Sequence, residues 1–318
     1  MSKLFKISWI FLTVILICQS CSTESDELIS YDAKGENAAG GFIEIPDANF
    51  RNTLLNSNCV DSDADGVADS DVDLNDDGKI DKKEANAVEH LILRFDYGLP
   101  LTFVDLTGIE NFRNLKSLDL SGTSNDFYHD TATNTENLTY DFTGLRKLEY
   151  LKMYLLATEY FDLIDLSGLT KLQEVDLSGN RPMDYYSERD KFININLEGC
   201  TSLKKLKYQN SWLKVDFCQV PSLEVLDMFY LEGGEPDVFD FHCLTNLKYL
   251  NIAENMVDAL ILKNNSLLDE FVYYSYTEEK EWFYPSPNYI CIDDDPLEYE
   301  QITPLIGTNT LVNSDCIY

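Results

Sequence analysis

The stretch Leu172-Gln173-Glu174-Val175-Asp176-Leu177-Ser178-Gly179-Asn180 holds the pattern from which the fold follows. Its apolar residues are Leu172, Val175 and Leu177, and polar residues separate them. The alternation around the last two is typical of a β-strand with one buried face. The three residues that close the stretch favour a turn, so the stretch predicts a short strand that ends in a turn.

The same pattern, Leu-x-x-Leu-x-Leu with apolar substitutes, occurs eight times along the chain. The copies are Val88-Leu91-Leu93, Leu115-Leu118-Leu120, Leu148-Leu151-Met153, Leu172-Val175-Leu177, Leu203-Leu206-Tyr208, Leu223-Leu226-Met228, Leu247-Leu250-Ile252 and Leu268-Phe271-Tyr273. Successive copies begin 20 to 33 residues apart, and the two longest steps contain polar insertions. The shorter steps lie in the leucine-rich repeat range of about 20–29 residues. The pattern predicts an α/β leucine-rich repeat solenoid with a parallel β-sheet on its concave face, rather than a generic leucine-rich protein.

A second apolar stripe precedes most of the predicted strands. It consists of apolar-polar-apolar triplets at Val104-Asp105-Leu106, Tyr140-Asp141-Phe142, Ile164-Asp165-Leu166, Ile195-Asn196-Leu197 and Phe239-Asp240-Phe241. Two stripes on opposite sides of each repeat let stacked repeats build one continuous core. Asparagine follows the strand, where its amide can bond neighbouring backbone, at Asn180 and Asn255 alone. We therefore expect a partial asparagine ladder and coils of irregular shape.

An acidic stretch before the repeats has the spacing of a calcium-binding EF-hand loop. Its ligand positions are Asp73, Asn75, Asp77, Lys79 (through its carbonyl), Asp81 and Glu84, with Gly78 at the turn. Ca²⁺ prefers about six to eight oxygen ligands, two of them from a bidentate carboxylate, here Glu84. The pattern predicts a Ca²⁺ site and a segment that Ca²⁺ stabilises; the alternative is a solvated acidic linker.

An incomplete copy of this loop lies directly upstream. It consists of Asp61, Asp63, Asp65, Gly66 and Asp69. Its last position is Val72, which lacks the bidentate carboxylate, although Asp71 or Asp73 could supply the missing oxygens. The sequence leaves open whether this half-site binds Ca²⁺.

The first 20 residues have the features of a secretory signal. Lys3 and Lys6 precede an apolar run over residues 7–17, which is too short to span ~30 Å of hydrocarbon as a helix. A small residue before Cys21 resembles the bacterial lipoprotein processing site, which predicts lipidation of Cys21. The alternatives are lipidation at Cys18 or an ordinary cleaved signal peptide. Residues 21–41 are acidic and polar, and we expect them to form a tether.

Two segments, with the calcium-like loop between them, resemble the leucine-rich repeat surface lipoproteins of Bacteroidetes. They are Ile45-Pro46-Asp47-Ala48-Asn49-Phe50 and Asp105-Leu106-Thr107-Gly108-Ile109-Glu110-Asn111-Phe112. We accordingly divide the chain into an N-terminal cap (42–87), repeats (88–288) and a C-terminal cap (289–318). Acidic residues directly after Cys21 resemble the surface-export signal of this group. The resemblance implies a binding or adhesion protein that a lipid holds in the outer membrane, exposed at the cell surface.

Six cysteines follow Cys21 and can form disulfides if the protein is exported. They are Cys59, Cys200, Cys218, Cys243, Cys291 and Cys316. The last two bracket a segment that is similar to the family's closing cap, and we expect a disulfide between them. Cys200, Cys218 and Cys243 precede strands of neighbouring coils. We interpret these three as buried free thiols, with a Cys200–Cys218 disulfide as the alternative.

A ligand is expected on the concave face, toward which the variable residues of each strand point. The candidate ligand-binding residues are Tyr150, Lys152, Tyr154, Lys205, Lys207, Asp227, Phe229, Tyr249 and Tyr274. Tyrosine offers a large contact area and a hydroxyl at a small entropy cost. The lysines are conspicuous in so acidic a chain. The alternative is a solvent-facing sheet that binds nothing.

The charge of the chain excludes several kinds of partner. The 24 Lys and Arg residues face 56 Asp and Glu residues, a formal net charge of −32. This argues against nucleic acid and against anionic lipid headgroups, so membrane contact is expected through the lipid anchor alone.

The sequence contains no Gly-x-Ser-x-Gly, His-Glu-x-x-His or P-loop motif. We therefore expect a non-enzymatic module that binds a protein or a glycan. The alternatives are an accessory lipoprotein of a glycan uptake system and, less favoured, a glycoside hydrolase with paired carboxylates.

Overall fold

Parallel strands, stacked coil upon coil, are the main regular elements of the described structure. The computed structural model describes residues 41–95, 104–122, 138–154, 161–180, 192–231, 237–273 and 286–316. In chain order the strands are β1 (His90–Phe95), β2 (Ser117–Gly122), β3 (Leu138–Asp141), β4 (Tyr150–Tyr154), β5 (Phe161–Asp165), β6 (Glu174–Asp176), β7 (Ile193–Asn196), β8 (Lys205–Lys207), β9 (Leu213–Val215), β10 (Val225–Asp227), β11 (Asp237–Asp240), β12 (Tyr249–Asn251), β13 (Val257–Ile261), β14 (Glu270–Val272), β15 (Tyr289–Cys291) and β16 (Leu311–Asn313). Eight of them form one sheet, the long sheet, in the order β1-β2-β4-β6-β8-β10-β12-β14. Each of these eight holds one predicted repeat, so the repeat assignment is confirmed.

The long sheet is in register because every coil places its apolar strand residues at the same height. Leu118 pairs with Leu91 of β1 on one side and with Leu151 of β4 on the other. All three leucines are fully buried, whereas Ser117 and Asp119 beside Leu118 are half-exposed. The alternation confirms that one face of the long sheet packs on the core and that the other face is open to solvent.

Two shorter parallel sheets contain the second apolar stripe. Their strand orders are β3-β5-β7-β9 and β11-β13-β15-β16. Strands β3, β5, β7 and β11 each end at the polar residue of a predicted triplet. The flanking apolar residues are buried, as at Ile164 and Leu166, and so are Val104 and Leu106, which lie outside any strand. The core thus lies between the long sheet and the stripe that the triplets form.

A ladder of alternating charge runs along the residues that directly precede the strands of the long sheet. These residues are Glu89, Lys116, Glu149, Gln173, Lys204, Glu224, Lys248 and Asp269. Lys116 Nζ lies 2.6 Å from a carboxylate oxygen of Glu89, and Glu224 lies 2.6 Å from the Nζ of both Lys204 and Lys248. Hydrogen bonds from these two lysines lower the pKa of Glu224 to about 2. Wherever two adjacent coils both carry a charged residue at this position, the two charges are opposite in sign.

The N-terminal cap is built from two short helices whose first turns are capped by aspartate. Helix α1 (Ala48–Asn56) begins after Asp47, whose carboxylate accepts a 2.8 Å hydrogen bond from the amide of Phe50. Helix α2 (Lys82–Ala87) begins with a capping box, in which Asp81 and Glu84 each accept the other's backbone N–H. Among the described residues, no helix is long and apolar enough to cross a membrane.

The segment Cys59–Asp61 closes the first edge of the long sheet. The amide of Ile92 in β1 donates to the carbonyl of Cys59 at 2.7 Å, and the amide of Asp61 donates to the carbonyl of His90 at 3.2 Å. A covered edge cannot pair with a strand from another molecule. By its contacts this cap belongs to the same unit as the repeats, Gly40–Tyr318.

At the other end, the chain closes with helix α3 (Pro296–Ile302) and a disulfide. Cys291 and Cys316 are bonded, with their Cα atoms 6.1 Å apart, which confirms the predicted pair. Glu298 of α3 is 4 % exposed and accepts a 2.8 Å hydrogen bond from the amide of Asp293. Burial, followed by repulsion from Asp293 and Asp295, raises the pKa of Glu298 to about 7.

The interpretation of three cysteines as free thiols is wrong for two of them. Cys218 and Cys243 form a disulfide between adjacent coils, with their Cα atoms 4.9 Å apart. Cys200 is a buried free thiol, as predicted, so the alternative Cys200–Cys218 disulfide is absent. The difference is positional: Cys200 takes the core place that Leu169 and Leu244 hold in other coils. The other two cysteines lie in turns outside the core, where their sulfur atoms can meet.

The predicted asparagine ladder is present at both of its expected members. The Nδ2 of Asn180 donates to the carbonyls of Met153 and Leu177 at 2.7 and 2.8 Å, and Asn255 makes the same pair of bonds three coils later. Ser211 substitutes in the coil after Asn180, since its hydroxyl donates to the Leu177 carbonyl at 2.8 Å and accepts from the Asn180 amide at 3.0 Å. Leu231 holds this place in the next coil, so the ladder is partial, as predicted.

Candidate functional site

The open face of the long sheet gathers the sequence-predicted ligand residues. Tyr150, Lys152 and Tyr154 lie side by side on β4, and Lys205 and Lys207 lie on β8. Asp227 and Tyr249 lie at outward positions of β10 and β12, and Phe229 lies two residues after the end of β10. Tyr274 lies outside the described residues. Parallel pairing in register brings the side chains of neighbouring coils into contact range across the face.

The carboxylate of Asp119, near the first edge of the open face, pairs with two basic side chains. Asp119 on β2 accepts two hydrogen bonds from the guanidinium of Arg94, at 3.0 and 2.9 Å, in a bidentate pair. Lys152 Nζ lies 3.7 Å from the same carboxylate. The Lys152 charge is thus partly neutralised by a neighbour in the sheet. The sequence reading missed Arg94, although it occupies the same strand position as Ser121 and could be found by aligning the repeats.

Glu174 plays the same part in the middle of the face. Its carboxylate oxygens lie 3.3 Å from Lys205 Nζ and 3.5 Å from Lys207 Nζ. The two lysines are therefore held by one acid on β6. The lysines that look conspicuous in the sequence are paired in the fold, so the face presents balanced charges rather than a basic patch.

Asp227 organises the next part of the face. It is 8 % exposed, and its two oxygens accept hydrogen bonds from the amide groups of Gln209 at 2.6 Å and Asn251 at 3.0 Å. The sequence predicted Asp227 as a ligand residue; the structure shows that it instead binds Gln209 and Asn251 of the two adjacent coils. Its carboxylate orients Gln209 and Asn251 and has little surface left for a ligand.

Aromatic rings supply the accessible apolar surface of the face. Tyr154 is 42 % exposed and Phe229 is 38 % exposed. The Tyr154 ring lies so close to Gly179 that a β-carbon there would stand 2.4 Å from it, and Gly179 also has a positive φ of 75°. Glycine is therefore required beneath this ring. Tyr150 is more enclosed than Tyr154. Burial raises the pKa of its hydroxyl to about 12, and the negative charges of Asp119, Asp176 and Glu174 contribute to the increase.

The acidic loop Asp73–Glu84 is folded around its first residue. The two carboxylate oxygens of Asp73 accept hydrogen bonds from the amides of Asp77 at 3.1 Å and Gly78 at 2.6 Å. Asp73 is 6 % exposed and Glu84 is 4 % exposed. One oxygen of Glu84 caps α2, while the other, Oε1, is buried without a hydrogen-bond partner. A buried carboxylate oxygen without a partner is costly, and position 12 is where an EF-hand loop places its bidentate ligand.

The upstream half-site repeats this conformation. Asp61 accepts hydrogen bonds from the amides of Asp65 at 3.1 Å and Gly66 at 2.9 Å, at the same spacing as in the loop that follows. The fourth and sixth positions have positive φ in both loops: 62° at Ala64 and 89° at Gly66, against 58° at Asp76 and 76° at Gly78. The sequence pattern thus describes two loops of one shape.

The half-site brings three of its four predicted acids together. Oxygen atoms of Asp61, Asp63 and Asp65 all lie within 4.8 Å of one another. The fourth, Asp69, instead accepts a 2.6 Å hydrogen bond from the hydroxyl of Ser62, and this bond lowers its pKa. Asp81 of the downstream loop likewise caps α2 through the amides of Lys83 and Glu84.

Comparison with known proteins adds to the repeat geometry. Residues 87–180 match the family described as the leucine-rich repeat domain of the endo-β-N-acetylglucosaminidase EndoS. The stacked parallel strands show that the chain has the fold of a leucine-rich repeat solenoid. Among solved structures it is similar to an internalin of Listeria monocytogenes, at 15 % identity and a TM-score of 0.31, over 85 % of this chain and 75 % of that one. It is also similar to a leucine-rich repeat protein of Leptospira interrogans, at 16 % identity and a TM-score of 0.21, over 73 % and 74 % of the two chains. A search of curated proteins finds no match.

Proposed function

We propose that this leucine-rich repeat protein is a non-enzymatic binding module that recognises a protein or a glycan through the open face of the long sheet. The observation that carries the proposal is the combination of exposed rings at Tyr154 and Phe229 with polar neighbours that are already paired. A ligand that covers the rings need not break or reorganise these pairs at large cost. Such preorganisation is typical of recognition surfaces.

The proposal includes both proteins and glycans, because aromatic rings among amide and hydroxyl groups suit either class of ligand. Leucine-rich repeat proteins commonly bind proteins. The family that matches residues 87–180 is named for an enzyme that acts on N-acetylglucosamine linkages, which supports including glycans. Asp119, Glu174 and Asp227 all bind neighbours on the face, which disfavours the hydrolase alternative. An accessory role in glycan uptake is one form of the same binding function.

The decisive experiment compares ligand binding by the native chain and by a face variant. The native chain is screened on a glycan array and by affinity capture from cell-surface extracts, and each hit is remeasured with purified ligand. We expect Tyr154→Ala combined with Phe229→Ala to weaken binding at least about tenfold, because two central aromatic contacts are lost.

The matched control is Tyr299→Ala, which removes an aromatic side chain that is 50 % exposed on α3, outside the face. It should leave the dissociation constant unchanged. Equal binding by the face variant and the native chain would place the site elsewhere. Turnover of a bound glycan would contradict the non-enzymatic proposal.

We also propose that Ca²⁺ stabilises the N-terminal cap. The orphaned Oε1 of Glu84 supports this, since a bound cation would give that oxygen a partner. Asp73, Asn75, Asp77, Lys79 (through its carbonyl) and Asp81 would complete the ligand set, and Asp61, Asp63 and Asp65 would hold a second ion. The loop 61–69 begins at the segment that covers β1, so a cation there would also strengthen the closed edge.

The proposed location is the outer face of the outer membrane, with a lipid on Cys21. Cys21 lies outside the described residues, and the proposal rests on the signal-like sequence before it. We expect Cys21→Ala to move the protein from the membrane fraction to the soluble fraction of the producing cell, because a folded domain of this charge has little affinity for anionic lipid. Cys18→Ala is the control and should keep the protein with the membrane. Membrane retention of the first variant would contradict lipidation at Cys21.

A further inference from the structure

The disulfide between Cys218 and Cys243 lies beside an imidazole that contacts both sulfur atoms. His242 Nε2 is 3.2 Å from Cys243 Sγ and 3.8 Å from Cys218 Sγ. The other ring nitrogen, Nδ1, lies 2.7 Å from a carboxylate oxygen of Asp240. The carboxylate fixes the ring so that Nε2 points at the disulfide. This arrangement is independent of the open face and of the acidic loops.

The position of His242 in its coil shows that the contact is not required by the turn. In other coils the same place is held by Thr107 and Thr143, whose hydroxyls donate to the aspartate two residues earlier at 2.6 and 2.7 Å. Threonine thus satisfies this turn by itself. Histidine keeps the bond to the aspartate and adds a second nitrogen directed at sulfur.

The two sulfur atoms differ in exposure and in their distance from the imidazole, so attack by an external thiolate is favoured at one of them. Cys218 is exposed, whereas Cys243 is half-buried and is the sulfur closer to the imidazole. A thiolate from solvent therefore reaches Cys218 more easily. A disulfide breaks faster when the departing sulfur is stabilised as a thiolate, and an adjacent imidazolium provides that stabilisation.

We propose that the Cys218–Cys243 disulfide is a thiol-exchange site, at which a low-molecular-weight thiol becomes bonded to Cys218 and His242 stabilises the departing Cys243 thiolate. The external thiolate forms a bond to Cys218 Sγ while the bond between Cys218 and Cys243 breaks, and the bonding electron pair leaves on Cys243 Sγ. The proton that the external thiol lost is carried by the pair formed by His242 and Cys243. One disulfide is exchanged for another, so no separate oxidant or reductant is consumed.

The other disulfide of the described structure is an internal reference. Cys291 is fully buried and Cys316 is half-buried, so both sulfur atoms of this disulfide are less open to a thiolate in solution than the exposed Cys218. The native full-length chain is incubated at pH 7 with excess reduced glutathione, quenched with acid, alkylated and mapped by peptide mass spectrometry. We expect glutathione on Cys218 and the alkyl group on Cys243, with opening at least about tenfold faster than that of Cys291–Cys316. Glutathione on Cys243 instead, or equal opening rates, would overturn the proposal.

The variant that separates the effect of the imidazole from that of simple exposure is His242→Thr, which introduces the residue that two other coils carry at this position, Thr107 and Thr143. It should slow the opening of Cys218–Cys243 about tenfold and leave the rate of Cys291–Cys316 unchanged. An unchanged rate at Cys218–Cys243 would show that His242 takes no part.

A second measurement isolates the departing thiol. Cys218→Ser leaves Cys243 as a single thiol beside His242, and its alkylation rate at pH 7 is compared with that of Cys218→Ser combined with His242→Thr. We expect the histidine to accelerate alkylation about tenfold. The free thiols of Cys59 and Cys200 should not interfere, because burial raises their pKa values to about 12 and about 11. Equal rates in the two proteins would contradict stabilisation of the Cys243 thiolate.

Discussion

Removal of Ca²⁺ should lower the stability of the chain by about 3 kcal/mol, a value expected when free Ca²⁺ exceeds its dissociation constant about a hundredfold. The physical reason is the acidic loop Asp73–Glu84, in which Oε1 of Glu84 is buried without a hydrogen-bond partner. The measurement is urea or thermal unfolding of the native chain in Ca²⁺ and in chelator, with Mg²⁺ as the selectivity control. Identical unfolding curves in Ca²⁺ and chelator would contradict the proposed site.

The variant that tests the ligand is Glu84→Gln. Glutamine can still cap α2 at this position, but it lacks the charge and the second carboxylate oxygen that a bidentate ligand needs. We expect the variant to lose most of the stability difference between Ca²⁺ and chelator. A variant that retains the full difference would exclude Glu84 as a ligand.

Glu298→Gln is the matched control, because Glu298 is also buried and also accepts a backbone N–H at a helix start. Its stability difference between Ca²⁺ and chelator should equal that of the native chain.

Glu298 also predicts a pH dependence of stability, because its pKa is raised from 4.5 to about 7 in the folded chain. The folded state therefore binds the proton more tightly than the unfolded state. The free energy of unfolding of the native chain, measured relative to that of Glu298→Gln, should fall as the pH rises from about 4.5 through 7.

Replacement of Asn180 by alanine should cost about 2–5 kcal/mol of unfolding free energy, because two buried carbonyls lose their donor. These carbonyls belong to Met153 and Leu177, which lie in adjacent coils, and Asn180 itself is fully buried. The measurement is the shift in urea midpoint, with the slope of the transition recorded to detect a change in cooperativity.

Asn246→Ala is the control for this substitution. Asn246 also donates its Nδ2 to a backbone carbonyl, that of Pro221 at 2.9 Å, but it is exposed, so water can replace the lost bond. We expect a cost below about 1 kcal/mol. Equal costs for the two variants would show that the buried ladder contributes nothing beyond an ordinary surface hydrogen bond.

The repeats and their buried residues could be predicted from the sequence because they are properties of one coil. Alternation of apolar residues fixes which face of a strand is buried, and this is independent of the neighbouring coil. Contacts between coils were harder to predict. The pairing of Glu174 with Lys205 joins residues 31 positions apart, and it follows only when the two strands are set in register.

The cysteines show the same limit more clearly. Counting residues to the next strand makes Cys200, Cys218 and Cys243 look equivalent. Aligning each cysteine with the core positions of the turn separates them, since Cys200 replaces a buried leucine and the other two do not. The loop spacing predicted that Asp61, Asp63 and Asp65 lie together, as the structure shows. That Asp69 instead binds the hydroxyl of Ser62 could not be read from the spacing.

The charge ladder between coils has a consequence for how such a chain can change its length. A coil that presents Lys204 is followed by one that presents Glu224 and then by one that presents Lys248. Deleting the middle coil would place the two lysines side by side. Deleting it together with the coil of Lys248 would instead place Lys204 beside Asp269, which carries the opposite charge. Gene duplications and deletions in this region should therefore persist more readily when they add or remove two coils at a time. The coil of Gln173 is an exception, because its residue at this position is neutral. Loss of this single coil would place Glu149 beside Lys204, and its duplication would add only a second neutral residue, so neither change brings like charges together.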